Sequence, residues 1–291
     1  MRQLVGAVSF ALAASAVRVA QDGSLAQFSS NVQLVEVYAT VTDQKGDFVT
    51  GLRQEDFDLY EDNHLQQIST FAAGEFPATV ALGVDRSWSM AGKPLELAKQ
   101  ASRSFLNQLK TGDRSMVFGI SSTADVIAPL STDRLTQSRA IAALEPWSTT
   151  ALRDAIVTAL DRLEPEPGRQ AVVLFSDGND RYSQATEAQV LDRARRSNAL
   201  IYPMTFGKQR PPLLTELAAL TGGRAFLLKD ATELENTLSV IARELRYQYL
   251  LGYAPSRSIE AGAHEWRSIR VTQKPPRVGL RIRARDGYTT D

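Results

Sequence analysis

Apolar residues at Val32, Leu34, Val35, Val37, Ala39 and Val41 largely alternate with polar ones, the period of a half-buried strand. Asp43, Gln44, Lys45, Gly46 and Asp47 form a turn, after which Phe48 and Val49 resume an extended run. Phe57-Asp58-Leu59-Tyr60 alternates again, Glu61-Asp62-Asn63 breaks the chain, and residues 67–71 read as one more short strand. The pattern predicts an antiparallel β module over residues 28–76. That length is small for a free-standing sandwich.

From residue 78 the texture changes. Residues 79–84 are a continuous apolar run, as expected of a strand buried on both faces of a parallel sheet. Leu95, Ala98, Ala101, Phe105 and Leu109 then recur at helical spacing. Strands are predicted over 115–121, 126–130, 170–175, 199–205 and 224–228, and helices over 135–144, 152–163, 187–197 and 213–220. A last helix starts at Asp230, with Glu233 three residues on in a capping-box-like arrangement, and ends near Leu245. Such alternation predicts an α/β fold with a doubly wound, mostly parallel sheet over residues 78–246.

After Arg246 the β texture returns, with strands expected over 247–253, 266–273 and 278–284. Neither terminal segment has enough strands for a stable core of its own. Residues 28–76 and 247–291 are therefore expected to build one β-sandwich-like module with the α/β domain inserted between them. The alternative is two small β extensions, each packed on the α/β domain.

The chain has 291 residues, 43% of them hydrophobic and 23% charged, so a sizeable core is available. Its 33 basic and 33 acidic residues cancel, which argues against nucleic acid as a partner. Cysteine is absent, excluding disulfides, thiol nucleophiles and zinc–thiolate sites. At the N-terminus, Arg2 precedes an uncharged apolar run over residues 4–17 that ends in Ala14-Ser15-Ala16, a small-x-small cleavage pattern. The run is short for a membrane span, and polar, linker-like sequence follows it. A signal peptide over residues 1–20 is expected, with the mature protein secreted or in the periplasm or cell envelope. A first helix of the fold is the competing reading. No other stretch suits an integral membrane segment.

At the end of the first α/β strand, Asp85, Ser87 and Ser89 offer a carboxylate and two hydroxyls at alternate positions. Ligands of open α/β sheets sit at the carboxyl ends of the strands. Oxygen-only donors suit a hard cation such as Mg²⁺. Thr150, at a helix start, and Asp177, at the end of a buried strand, would complete a five-oxygen cluster. Gly178 after Asp177 would allow close approach of backbone to an ion.

D-x-S-x-S at 85–89, a threonine at a later helix start and Ser176-Asp177-Gly178 together resemble the metal-ion-dependent adhesion site of von Willebrand factor A domains. Thr221-Gly222-Gly223-Arg224-Ala225-Phe226 is similar to that family's turn into its last strand. The resemblance covers residues 78–246. The flanking β segments, with Gly51-Leu52, Glu55-Asp56-Phe57 and Tyr60-Glu61-Asp62, resemble those of bacterial secreted relatives. The resemblance implies that Ser87, Ser89 and Thr150 coordinate Mg²⁺ (or Mn²⁺ or Ca²⁺) by hydroxyl, and Asp85 and Asp177 directly or through water. It also implies an open coordination site that takes an Asp or Glu of a partner protein. Two departures stand out. Ser148-Thr149 replaces the usual Gly-Gly, so Thr149 or Thr150 is the ligand, and Arg86 and Trp88 stand where smaller or acidic residues are frequent. Trp88 is either an apolar anchor for a partner or packed against neighbouring loops.

Asp154 and Asp180 lie near the site in sequence, but Asp154 falls in a first helical turn, where the helix dipole already favours a carboxylate. The basic tail residues Arg267, Arg270, Lys274, Arg277, Arg281, Arg283 and Arg285 are expected to be a solvated sheet face. Catalysis is not expected. His64 and His264, the only histidines, are far in sequence from the serines, and no zinc-protease or phosphate-loop motif occurs. The expected function is adhesion-type protein binding. The competing role is a structural scaffold in the cell envelope whose metal only orders the loops.

Overall fold

The computed structural model describes residues 34–206, 209–258, 262–275 and 279–290. The expected signal peptide, the start of the first β segment and Arg277 lie outside the described residues. Among the described residues no helix is long and apolar enough to cross a membrane.

The N-terminal segment forms β1 (Val35–Thr42), β2 (Phe57–Glu61), β3 (His64–Gln66) and β4 (Ile68–Ala73). The central segment forms β5 (Ala78–Asp85), α1 (Lys93–Gln108), β6 (Arg114–Ile120), β7 (Ala124–Ser131), α2 (Arg134–Ala142) and α3 (Leu152–Leu163). It continues through β8 (Arg169–Ser176), α4 (Glu187–Arg195), β9 (Leu200–Phe206), α5 (Pro212–Thr221), β10 (Phe226–Leu228) and α6 (Leu234–Glu244). The C-terminal segment adds β11 (Tyr249–Tyr253), β12 (Trp266–Gln273), β13 (Arg281–Arg283) and β14 (Gly287–Thr289).

The central sheet has the order β10-β9-β8-β5-β6-β7 and is parallel except for the edge strand β7. Every residue of β5 and β8 is buried, which explains their uninterrupted apolar runs. Side chains of α1, α2 and α6 pack one face of the sheet, and those of α3, α4 and α5 the other. The fold is a doubly wound α/β sheet, as the alternation predicts. The helix near Asp230 begins differently from expectation. Asp230 accepts the Thr232 N–H in a single 3-10 turn, while Glu233 reaches the Lys229 N–H instead of completing a capping box.

The terminal segments combine into two four-stranded sheets, β13-β1-β11-β4 and β14-β12-β2-β3. Antiparallel pairing of β1 with β11, Val37 opposite Leu251, joins the two ends of the chain across the inserted domain. Val37, Val41, Leu59 and Leu251 are fully buried in the core that these sheets share. β1 departs from simple alternation because its second face is covered as well. Tyr38 packs into the α/β core, and the Thr40 hydroxyl meets Glu244 of α6 at 3.4 Å. The short strands β3 and β14 are not predicted, because neither belongs to an alternating run long enough to show a period.

Arg267, Arg283 and Arg285 correct the solvated-face expectation, whereas Arg270, Lys274 and Arg281 are exposed as expected. Arg285 is buried and its guanidinium donates to the carbonyls of Gly287 and Ser197 and to the Asn198 side chain, fastening the tail to the α4–β9 loop. Burial pulls its pKa down to about 10. A guanidinium has five donors in a rigid fork and can close such a seam where lysine cannot. Arg283 pairs with the buried Glu244. Arg270 lies over the Tyr60 ring at 4.1 Å, and Lys274 stands 3.8 Å from Asp58. Arg169, at the start of β8, crosses the same seam from the other side, stacked 5.3 Å from the Tyr38 ring.

Inside the β module, Glu61 of β2 accepts hydrogen bonds from Tyr253 of β11 (2.6 Å), Tyr288 of β14 (2.9 Å) and Arg267 of β12 (3.1 Å). Glu61 and Arg267 are both buried, so each charge depends on the other. Glu61→Ala should therefore lower unfolding stability by about 3–5 kcal/mol in urea titrations, because it strands a buried guanidinium. Glu61→Gln should lose less.

Candidate functional site

β5 and β8 run parallel with Val84 opposite Phe175, so their carboxyl ends bring Asp85 beside Ser176. The Ser176 hydroxyl donates to Asp85 Oδ2 at 2.6 Å, and the Ser87 N–H donates to Oδ1 at 2.8 Å. Asp85 has no exposed surface, and both of these donors are neutral. Burial pushes its pKa above the ordinary carboxylate range; the hydrogen bonds from Ser176 and Ser87 oppose this, and the charge of Asp177 adds to it.

Past Asp85 the chain makes a single 3-10 turn, Trp88–Met90, in which Ser87 is buried and Ser89 exposed, with their hydroxyls 3.0 Å apart. The α3 entry loop lies alongside, bound by two backbone hydrogen bonds: Trp147 N–H to Arg86 O (2.7 Å) and Trp88 N–H to Ser148 O (3.1 Å). A pocket of about 300 Å³ opens here, lined in part by Ser87, Ser89, Thr149, Thr150 and Arg181. Thr150 is buried, and its carbonyl accepts the N–H groups of Arg181 and Tyr182. Asp177 lies at the margin, half-buried, its carboxylate accepting the Asn179 N–H at 3.0 Å. The structure thus gathers three of the five expected oxygen ligands on one pocket, with Asp85 bonded behind Ser87 and Asp177 within electrostatic reach of Asp85. The cluster is all oxygen, and its buried carboxylate has only neutral hydrogen-bond donors around it. Such a donor set fits a hard divalent cation.

Several positions were not legible from sequence. Ser148 sits at φ +58°, a left-handed turn where glycine is the usual occupant, which explains how it can stand in for the Gly of the motif. Gly178 also has a left-handed backbone, at φ +80°, and a Cβ there would come within 3.0 Å of Pro211. The turn by itself calls for glycine here. Asp180 serves as a remote cap of α3, accepting the Arg153 N–H at 2.8 Å. Asp154 accepts the N–H groups of Gln184 and Ala185 instead of acting only on its own helix. These partners lie about thirty residues away in sequence, beyond any local capping signal. Trp88 is 64% exposed, so it is not packed against the loops. His64 and His264 are exposed and line other pockets.

The model of the von Willebrand factor type A domain matches residues 80–179, the stretch that carries Asp85, Ser87, Ser89, Thr150 and Asp177. With the doubly wound sheet in place, the chain contains a von Willebrand factor type A domain. A UPF0353 protein of Mycolicibacterium gilvum is 27% identical over 222 residues, 64% of this chain and 66% of the relative. One of Mycobacterium tuberculosis is 25% identical over 224 residues, with the same coverage. The chain therefore spans just under two thirds of the length of these relatives. Among solved structures, a von Willebrand factor type A protein from Catenulispora acidiphila superposes with a TM-score of 0.54 and 15% identity, over 88% of this chain and 73% of that one. Proximal thread matrix protein 1 of the mussel byssus, with a zinc-occupied MIDAS motif, gives a TM-score of 0.54 and 17% identity, over 65% of this chain and 50% of that one. At these identities the two structures establish the fold.

The raised Asp85 pKa sets a pH dependence. The folded state holds this proton to higher pH than the unfolded chain does, so metal-free stability is full below the ordinary carboxylate pKa and is lost as pH rises through the Asp85 value. Asp85→Asn should then be more stable than wild type at neutral pH in chelator. The gap in thermal midpoint should close in acid.

Proposed function

We propose that this chain is a divalent-cation-dependent protein-binding module, adhesion-type in mechanism. In this reading Ser87, Ser89 and Thr150 supply hydroxyl ligands, and Asp85 and Asp177 supply negative charge, directly or through water. The cation is Mg²⁺, with Mn²⁺ or Ca²⁺ as substitutes, and it offers a Lewis-acidic position for an Asp or Glu of a partner protein. The observation that carries the reading is Asp85: a fully buried carboxylate, with neutral hydrogen-bond donors, behind a pocket lined by hydroxyls. Thr150 is favoured over Thr149 because it is the more buried and its backbone is held by two hydrogen bonds. The zinc-occupied motif of the mussel protein supports a cation at such a site in this fold.

The role in this reading is binding rather than catalysis: no histidine or lysine is among the described pocket residues, and the carboxylate bonded to Ser87, Asp85, is assigned to the cation. A purely structural metal is the weaker reading, because the loops are already tied by Trp88 N–H to Ser148 O, Arg181 N–H to Thr150 O and the Asp180 cap. In this reading the apolar run over residues 4–17 is an export leader, which supports a working protein in the periplasm, on the cell envelope or outside the cell.

Calorimetric titration with Mg²⁺ and Mn²⁺ tests the site. Asp85→Ala should lower ion affinity at least tenfold, about 1.4 kcal/mol, and Ser87→Ala less, since it deletes a neutral ligand. Equal affinity in wild type and Asp85→Ala would refute the assignment.

A further inference from the structure

Three large aromatic side chains are exposed on the segments that border the pocket: Trp88, which lines it, and Trp147 and Tyr182, next in sequence to the lining residues Ser148 and Arg181, are 64%, 58% and 57% exposed. Two of the three tryptophans of the chain therefore fall on segments that border the pocket. Their backbones are fixed next to the hydroxyl cluster. Trp88 N–H bonds Ser148 O, Trp147 N–H bonds Arg86 O, and Tyr182 N–H bonds the carbonyl of Thr150 itself. Among the described residues, none of these rings takes part in a ring pair or a cation–π contact. Arg181, beside Tyr182, lines the same pocket, and no carboxylate among the described residues pairs with it.

Exposed apolar surface on a folded domain marks a place where something binds, and tryptophan, tyrosine and arginine are the residues that dominate interface energetics. Rigid aromatic rings on hydrogen-bonded loops contribute contact area at small entropic cost. A pocket of about 300 Å³ has room for one side chain or a little more, so whatever covers the surrounding rings must flank the side chain that enters it. We infer that the partner presents an extended segment whose acidic residue enters the pocket beside Arg181, while apolar neighbours of that residue lie on Trp88, Trp147 and Tyr182. This rests on the proposed carboxylate-binding function and adds what surrounds the carboxylate. The rings set the apolar context, and Arg181 gives the incoming acid a second, cation-independent attraction.

The test is selection of a displayed random heptapeptide library on the full chain in Mg²⁺. The selected peptides should carry Asp or Glu with an aromatic, aliphatic or proline residue adjacent or next but one. The best peptide, synthesised, should lose about tenfold or more in affinity for the Trp147→Ala/Tyr182→Ala double variant. Mg²⁺ affinity of that variant should be unchanged, which also shows that it is folded. Trp88 stays in place because it lies between two proposed ligands. Acidic peptides that are released by chelator yet bind the double variant as well as wild type would overturn this inference alone. Apolar peptides without an acid, or no selection at all, would overturn it too, and the first would also contradict the carboxylate reading.

Discussion

The parallel register of β5 against β8 is the constraint on which the working end of this molecule depends. It sets Asp85 and Ser176 side by side at the carboxyl edge of a sheet whose two central strands are wholly buried. A carboxylate in that position has no water to solvate it. Its hydrogen bonds to Ser176 and Ser87 offset part of the loss, and the nearby charge of Asp177 adds to it. Under the proposed function, a bound cation would offset what remains of that cost. The loops that carry Ser89, Thr150 and Asp177 are arranged around this edge, each with its own backbone or carboxylate ties.

The β module serves the same end from a distance. Because β1 pairs with β11, the segments before and after the α/β domain are closed into one body, and that domain is tethered where the chain enters and leaves it. The seam is polar as well as apolar. Arg285 seals the tail to the α4–β9 loop, Arg283 meets Glu244, and Arg169 stacks on Tyr38. These arginines lie along the β-module seam, whereas the oxygen cluster sits at the carboxyl ends of β5 and β8. The charged seam and the proposed binding site are thus in different parts of the molecule.

How much of this was readable beforehand follows from the range over which each signal acts. Strands buried on both faces announce themselves locally, so β5 and β8 and the helices around them were legible, and with them the places of Asp85, Ser87, Ser89, Thr150 and Asp177. Features set by distant partners were not. The second buried face of β1 depends on α6, the cap of α3 comes from Asp180, and the tail arginines find their acceptors in α4, α6 and β2. Exposure is equally silent in sequence: no pattern marks Trp147 and Tyr182, and only the fold shows both exposed on segments that border the pocket.

The central claim is that a divalent cation sits among Ser87, Ser89, Thr150, Asp85 and Asp177. Anomalous diffraction from crystals of the full chain soaked in Mn²⁺ addresses it most directly. The account predicts a manganese peak at coordination distance from the hydroxyls of Ser87 and Ser89, with Thr150, Asp85 and Asp177 around it. A well-ordered loop cluster with no peak there, or manganese bound only elsewhere, would contradict it.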